Sequence, residues 1–155
     1  MIAIIAEKPS VGQEIARVVG ATEKKDGYIT GNGYMVTWAL GHLVSLALPG
    51  TYGYTRTTAE DLPMLPEPFR LVERQIRTDR GMVTDIAAGR QLKVIDGVFS
   101  ECDSIIVATD AGREGELIFR WIYSHLGCTK PFKRLWFSSL TDEAIRKGMA
   151  DLREG

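Results

Sequence analysis

Apolar positions along the chain alternate between short solid runs and longer, spaced stripes. Ile2 to Ala6 and Ile105 to Ala108 are continuous runs rich in β-branched residues, the pattern of strands buried on both faces. Each run ends in a charged turn and gives way to helical spacing. After Glu7-Lys8-Pro9-Ser10 come Ile15, Val18 and Val19 on one side, with Ser10 expected as N-cap and Gly20 as the stop. After Asp110-Ala-Gly, where Gly112 is expected to supply backbone freedom, Leu117, Ile118, Trp121 and Ile122 form one stripe. Between these two units, Asp26 to Leu40 reads as a hairpin around Gly31-Asn32-Gly33, and Gly41-His42-Leu43 interrupts its strand pattern. Pro49, Pro63, Pro66 and Pro68 mark 49–68 as an extended surface loop. Phe69 to Ile76 reads as a strand, and Thr84 to Phe99 as a helix with Ile86, Leu92, Ile95 and Phe99 inside. Phe132 to Phe137 reads as a third buried or edge strand, and Thr141-Asp-Glu opens a last helix with a cap and two acids. Strands alternating with helices predict an α/β domain. Its sheet is mostly parallel with helices on both faces, plus an inserted hairpin and loop.

Composition narrows the class without naming a partner. The 155 residues suit a single domain, 1–155, with a real core. A net charge of −1 and 45% hydrophobic residues exclude a disordered or strongly basic chain. Nucleic acid stays open as a partner, because local clusters matter more than the total. Cys102 and Cys128 lie in no metal-binding spacing, so free thiols in a reducing compartment are expected. There is no signal-peptide pattern at the start and no apolar run of membrane-spanning length, so the expectation is a soluble, cytoplasmic protein with no membrane partner. Neither Gly-x-Gly-x-x-Gly nor a Walker lysine motif occurs, which argues against a nucleotide cofactor.

The two charged turns carry the candidate chemistry. Both belong at the C-terminal edge of one parallel sheet, where open α/β sheets bind ligands. Glu114 lies four residues before Ile118 and seven before Trp121, in phase with the core stripe. Glu116 falls with Arg113 and Arg120 on the opposite face, where a Glu–Arg pair is ordinary surface chemistry. If the two strands are neighbours, Glu7, Asp110 and Glu114 converge, with Lys8 beside them. Three crowded carboxylates repel unless a cation lies between them. Few, hard oxygen ligands suit Mg²⁺, which keeps several waters and shares its shell with phosphate. Lys8 adds a point charge for a phosphate oxygen, so the set points to metal-assisted phosphodiester chemistry. Each motif alone is equally a plain turn or helix entry; together they favour a site. His42 reads either as a contact to the site or DNA or as a packed histidine. Lys130, Lys133 and Arg134 form a basic cluster, facing phosphates or merely solvated. Arg113 either reaches a phosphate or pairs with Glu116. Trp38, Trp121 and Trp136 fit core roles better than base stacking.

At these residues the chain resembles the Toprim domain of type IA DNA topoisomerases, most closely topoisomerase III. Ala6-Glu-Lys-Pro-Ser-Val-Gly-Gln-Glu-Ile-Ala-Arg is similar to the family's N-terminal glutamate motif, and Asp110-Ala-Gly-Arg-Glu-Gly-Glu to its acidic motif. Ala39-Leu-Gly-His-Leu-Val and Trp136-Phe-Ser-Ser-Leu-Thr-Asp-Glu-Ala-Ile are similar to further family segments, so the resemblance covers nearly the whole chain. It implies a Toprim, Rossmann-like fold and DNA, in single-stranded segments, as partner. The implied reaction breaks one strand through a 5′-phosphotyrosyl link, passes another strand, and reseals without ATP. By position, Glu7 is implied as acid/base at the 3′-oxygen and a metal ligand, Lys8 as the group that steadies the scissile phosphate, and Asp110 and Glu114 as holders of Mg²⁺. Lys8, His42 and Arg113 are implied to face DNA. Where the family's acidic motif often has a second aspartate, this chain has Gly112, a variant among topoisomerase III-like sequences. One water-rich ion is then expected rather than two. The family's nucleophilic tyrosine lies far downstream in a Tyr-Pro-Arg context that residues 1–155 lack; Tyr54-Thr-Arg-Thr only superficially resembles it and lies upstream of the acidic motif. The expectation is an N-terminal fragment of a longer topoisomerase, acting at the nucleoid with the remaining domains and inactive alone. Two other readings stand beside it: a Toprim domain of a primase-like or nuclease protein, and a Rossmann-like binding module without catalysis.

Overall fold

The computed structural model describes every residue of 1–155 except Thr55 and Thr57. The first apolar run forms β1 (Ile2–Ala6) and leads into α1 (Pro9–Val19). A meander follows, of β2 (Glu23–Lys25), β3 (Tyr28–Gly31) and β4 (Tyr34–Trp38), so the expected hairpin carries one further strand on its outer edge. The inserted region holds β5 (Val44–Leu46), β6 (Leu71–Glu73) and the hairpin of β7 (Gln75–Thr78) and β8 (Gly81–Thr84). Then come α2 (Ile86–Glu101), β9 (Ser104–Ala108), α3 (Arg113–His125), β10 (Phe132–Arg134), α4 (Asp142–Ala150) and β11 (Arg153–Glu154).

The main sheet has the order β11-β10-β9-β1-β4-β3-β2. Its centre, β10, β9, β1 and β4, is parallel, and β11, β3 and β2 join antiparallel at the edges. β1 and β9 are neighbours in register, Ala6 opposite Ala108, so their two turns leave the sheet side by side. Period-two alternation sorts the strands' apolar residues to two cores. Ala3, Ile5, Ile105 and Val107 face Leu92, Ile95 and Phe99 of α2 and Ile118, Phe119 and Ile122 of α3. Ile4, Ala6, Ile106 and Ala108 face Ile15 and Ala16 of α1 and Ile145 of α4. Each fully buried Ile or Phe in these layers contributes roughly 1.5–3 kcal/mol. The two-sided core holds the edge carrying both charged turns rigid from below.

Several expected details differ. Ser10 does not cap α1: Lys8 is the N-cap residue and Pro9 takes the first turn, where a missing N–H costs nothing. Gly20 does end that helix, in the left-handed region at φ 80°. Phe69 to Ile76 is two short strands rather than one, because Arg74 sits between them with its side chain engaged elsewhere. The helix expected from Thr84 begins at Ile86, capped by Asp85, which accepts from the Ala87 and Ala88 amides, and Ile86 is 86% exposed instead of inside. It stands on the first turn, ahead of the buried face that begins at Ala88. The third strand stops at Arg134, and Trp136, expected in the core, is 46% exposed with the Arg153 guanidinium 4.0 Å from its ring centre. Residues 49–68 contain only the short 3₁₀ turns Pro49–Tyr52 and Ala59–Asp61 among those described, as a surface loop should. In the Tyr54-Thr-Arg-Thr segment, Thr55 and Thr57 lie outside the described residues. Cys102 and Cys128 are free thiols. Among the described residues no helix is long and apolar enough to cross a membrane.

Candidate metal and phosphate site

The site is built where β1 and β9 end. Glu7 follows the last residue of β1, and Asp110 follows Thr109 at the end of β9. The register that pairs Ala6 with Ala108 brings the turns together, and the Asp110 amide donates to Glu7 Oε2 at 3.3 Å. Glu7 and Asp110 are therefore adjacent, because β1 and β9 are neighbours, the condition that the sequence left open. Lys8 is exposed beside them at the start of α1. Neither α1 nor α3 has a side-chain cap at its N-terminus, so both helices present their partial positive ends at this edge.

Gly112 and Gly115 differ sharply in what they do. Gly112 is extended, at φ −167° and ψ 174°, a conformation any residue adopts, and a Cβ there would meet nothing within 4 Å. The expected need for backbone freedom at Gly112 is thus corrected. Gly115 is the constrained position: a Cβ would lie 2.1 Å from the Asp110 carbonyl oxygen and 2.8 Å from its amide nitrogen. The Asp110 turn folds back onto the first turn of α3, and only a residue without a side chain leaves room for it.

Glu114 and Glu116 both depart from their expected settings. The buried centre of α3 is Gly115, Ile118, Phe119 and Ile122, with Leu117 and Trp121 at its margins. Glu114 has the expected phase, on the side of Trp121, yet its side chain is 74% exposed. The first turn of α3 projects past the sheet edge, where no core remains to cover it. Its carboxylate meets His42 instead, at 3.2 Å from Nε2, and the imidazole packs against Trp121 with ring centres 5.6 Å apart. Among the described residues, no three His, Cys, Asp or Glu side chains are grouped closely enough to hold a metal ion. The expected convergence of three carboxylates is not formed: Glu7 meets the backbone amide of Asp110, and Glu114 meets His42.

Glu116 is no ordinary surface acid. It pairs with Arg120 at 2.6 Å, and its other oxygen contacts the Arg134 guanidinium, whose side chain is only 7% exposed. Arg134 Nη2 makes no aligned hydrogen bond, so this contact is a charge pair rather than a hydrogen bond. Arg134 also donates to Thr109 Oγ1 at 3.2 Å, directly before Asp110. Burial pushes its guanidinium pKa down, and Glu116 partly offsets that. The reading of Arg134 as part of an exposed basic cluster is corrected. The overlooked signal is alternation: Arg134 shares a strand face with Phe132, which turns inward against Phe119 and Tyr123. Lys133 instead points outward to Glu154 at 3.4 Å. Arg113 is exposed and, among the described residues, pairs with no acid, Glu116 included.

Sequence reasoning also missed Arg74. Its guanidinium donates to the Leu40 carbonyl at 2.7 Å and the His42 carbonyl at 3.3 Å, and pairs with Asp85 at 2.7 Å. It thereby pins the loop that carries His42. No local pattern marks such a residue, because its partners lie more than ten positions away.

Comparisons with known proteins agree with this architecture. The family model described as Toprim domain matches residues 2–140. Among curated proteins, DNA topoisomerase 3 of Bacillus subtilis is 46% identical over 98% of this chain, and that of Bacillus anthracis 48% identical over 98%. In each case the chain spans only 20% of the relative's length. Among solved structures, full-length topoisomerase I from Thermotoga maritima superposes with a TM-score of 0.60 at 20% identity, over 98% of this chain and 21% of that one. That likeness concerns the fold. The family match covers most of the chain, and the chain belongs to the Toprim domain family.

Proposed function

We propose that residues 1–155 are the Mg²⁺-binding N-terminal Toprim domain of a longer type IA DNA topoisomerase of the topoisomerase III kind. In that enzyme single DNA strands are cleaved and resealed through a tyrosine that residues 1–155 do not supply. The observation that carries the reading is the pairing of Glu7 and Asp110 at the ends of adjacent parallel strands, joined by the 3.3 Å amide contact. The relatives named DNA topoisomerase 3 support the choice within the family.

The donor set fits Mg²⁺. Glu7, Asp110 and Glu114 offer hard carboxylate oxygens on the turns after β1 and β9 and the first turn of α3, and Mg²⁺ is commonly held by few such ligands with water and phosphate completing its shell. Glu7 and Asp110 would hold it, with Glu114 as the third ligand. Bound there, it would neutralise charge on a phosphodiester. The protein's own groups do the rest. Lys8 and the uncapped N-termini of α1 and α3 bind the phosphate oxygens, each contributing positive potential at the same edge. Glu7, whose carboxylate is oriented by the Asp110 amide, holds or returns the proton at the 3′-oxygen. Arg113, unpaired among the described residues, is available to DNA. His42 Nε2 meets Glu114 in this fold.

A chimera tests this. Residues 1–155 replace the matching segment of Bacillus subtilis DNA topoisomerase 3, and relaxation of negatively supercoiled plasmid is followed with Mg²⁺. The chimera should relax DNA, the isolated chain should not, and Glu7→Ala in the chimera should slow cleavage by roughly 10²- to 10⁴-fold. Near-normal cleavage by Glu7→Ala would remove Glu7 from the chemistry.

A further inference from the structure

We propose that His42 is a positioning residue that keeps Glu114 apart from the Glu7–Asp110 pair until a divalent cation draws it in. The inference rests on the metal reading above and adds the control of its third ligand. Glu7 and Asp110 are already side by side through the 3.3 Å amide contact. A third carboxylate brought to them without a cation would be repelled. The structure does not bring it: no three acidic or histidine side chains are grouped to hold an ion among the described residues, and Glu114 Oε2 lies 3.2 Å from His42 Nε2.

The loop that carries His42 is braced by several backbone contacts. The Leu40 and His42 carbonyls both accept from Arg74 Nη1. Arg74 is fixed in turn by Asp85, which also accepts from the first amides of α2. The Gly41 amide donates to the Glu7 carbonyl at 3.5 Å, tying the loop to the end of β1, and Gly41 turns the chain there in the left-handed region at φ +67°. The imidazole rests on Trp121. Its Nδ1 is buried and has no partner among the described residues. A carboxylate only accepts, so Nε2 carries the hydrogen of this contact. Glu114, by contrast, is 74% exposed on the first turn of a helix, and a change of its rotamer disturbs nothing packed. The carboxylate is the partner that moves, and His42 competes with the cation for it.

The test uses Mg²⁺ alone as probe on the 155-residue chain. His42→Phe keeps an aromatic ring for Trp121 and removes the Nε2 donor. Calorimetric titration should give Mg²⁺ affinity roughly 2- to 10-fold tighter than the parent, the size of one exposed hydrogen bond lost from the competing state. Unchanged or weaker affinity overturns the proposal, weaker binding meaning that His42 supports the bound ligand instead. A second measurement needs no variant at that position. The chain has two histidines, so long-range ¹H–¹⁵N spectra resolve the His42 ring by comparison with His125. Its Nε2 resonance should shift along the Mg²⁺ titration in the parent and stay fixed in Glu114→Gln. A resonance that ignores Mg²⁺ while calorimetry shows binding overturns the competition alone. No Mg²⁺ binding by the parent overturns it together with the metal reading.

Discussion

Replacing Glu116 by glutamine separates the structure's view of α3 from the simple helical-wheel view. On the wheel, Glu116 is a surface acid in an i,i+4 pair, and its loss costs a few tenths of a kcal/mol. In the fold it is the carboxylate that meets Arg134, a guanidinium 7% exposed beneath Thr109 and 5.6 Å from the Phe119 ring centre. Removing one partner of a buried pair costs about 3–5 kcal/mol, because the other charge is left in low dielectric. Glu116 is 40% exposed, so water can reach part of the vacated position, and the expected cost falls to about 2–3 kcal/mol. For a chain of this size that lowers Tm by roughly 4–12 °C. Thermal and urea melts at neutral pH measure it. Arg120→Gln is the control: it removes the exposed arm of Glu116 and should cost under about 0.5 kcal/mol. Glu116→Gln combined with Arg134→Met removes both charges, and should recover at least half of the single-variant loss. The reasoning fails if Glu116→Gln melts with Arg120→Gln, or if the double variant is less stable than Glu116→Gln alone.

Two further outcomes follow from the same geometry. Gly115→Ala should destabilise by roughly 3 kcal/mol, the upper end for overpacking, because its Cβ would overlap the Asp110 backbone, whereas Gly112→Ala should leave stability within about 0.5 kcal/mol or raise it; urea melts of the pair decide. The Arg74 guanidinium, with help from the α2 amides, holds the Asp85 carboxyl below its ordinary pKa. A depressed pKa in the fold means stability that is fully present above about pH 3.9 and is lost as pH falls through the lowered value. Asp85→Asn should therefore melt below the parent at pH 6, with the gap closing as pH drops under about 4; a gap that persists unchanged at pH 2.5 contradicts the linkage.

The strands and helices nearest the site were legible because their patterns are local. Two β-branched runs, each followed by an acid and a helical stripe, define β1–α1 and β9–α3, and parallel pairing then brings Glu7 beside Asp110. What was not legible depends on partners distant in sequence. Arg74 acts on residues more than thirty positions away, and Glu116 acquires its weight from a strand eighteen residues downstream. The exposure of Glu114 was missed for a related reason: helical phase tells which side a residue faces, not whether the core extends as far as its turn. The exposure of Trp136 has the same origin, since β10 ends two residues before it.

The edge formed by Glu7 and Asp110 is proposed to hold a divalent cation. Calorimetric titration of Mg²⁺ into the 155-residue chain and its Asp110→Asn variant tests it most directly, with Arg113→Gln as a charge-changing neighbour that is no ligand. The parent and Arg113→Gln should bind one Mg²⁺ with similar affinity, while Asp110→Asn, nearly isosteric and still folded by its melt, should bind at least about tenfold more weakly, as loss of a charged ligand requires. Equal Mg²⁺ affinity in the parent and Asp110→Asn would contradict the site.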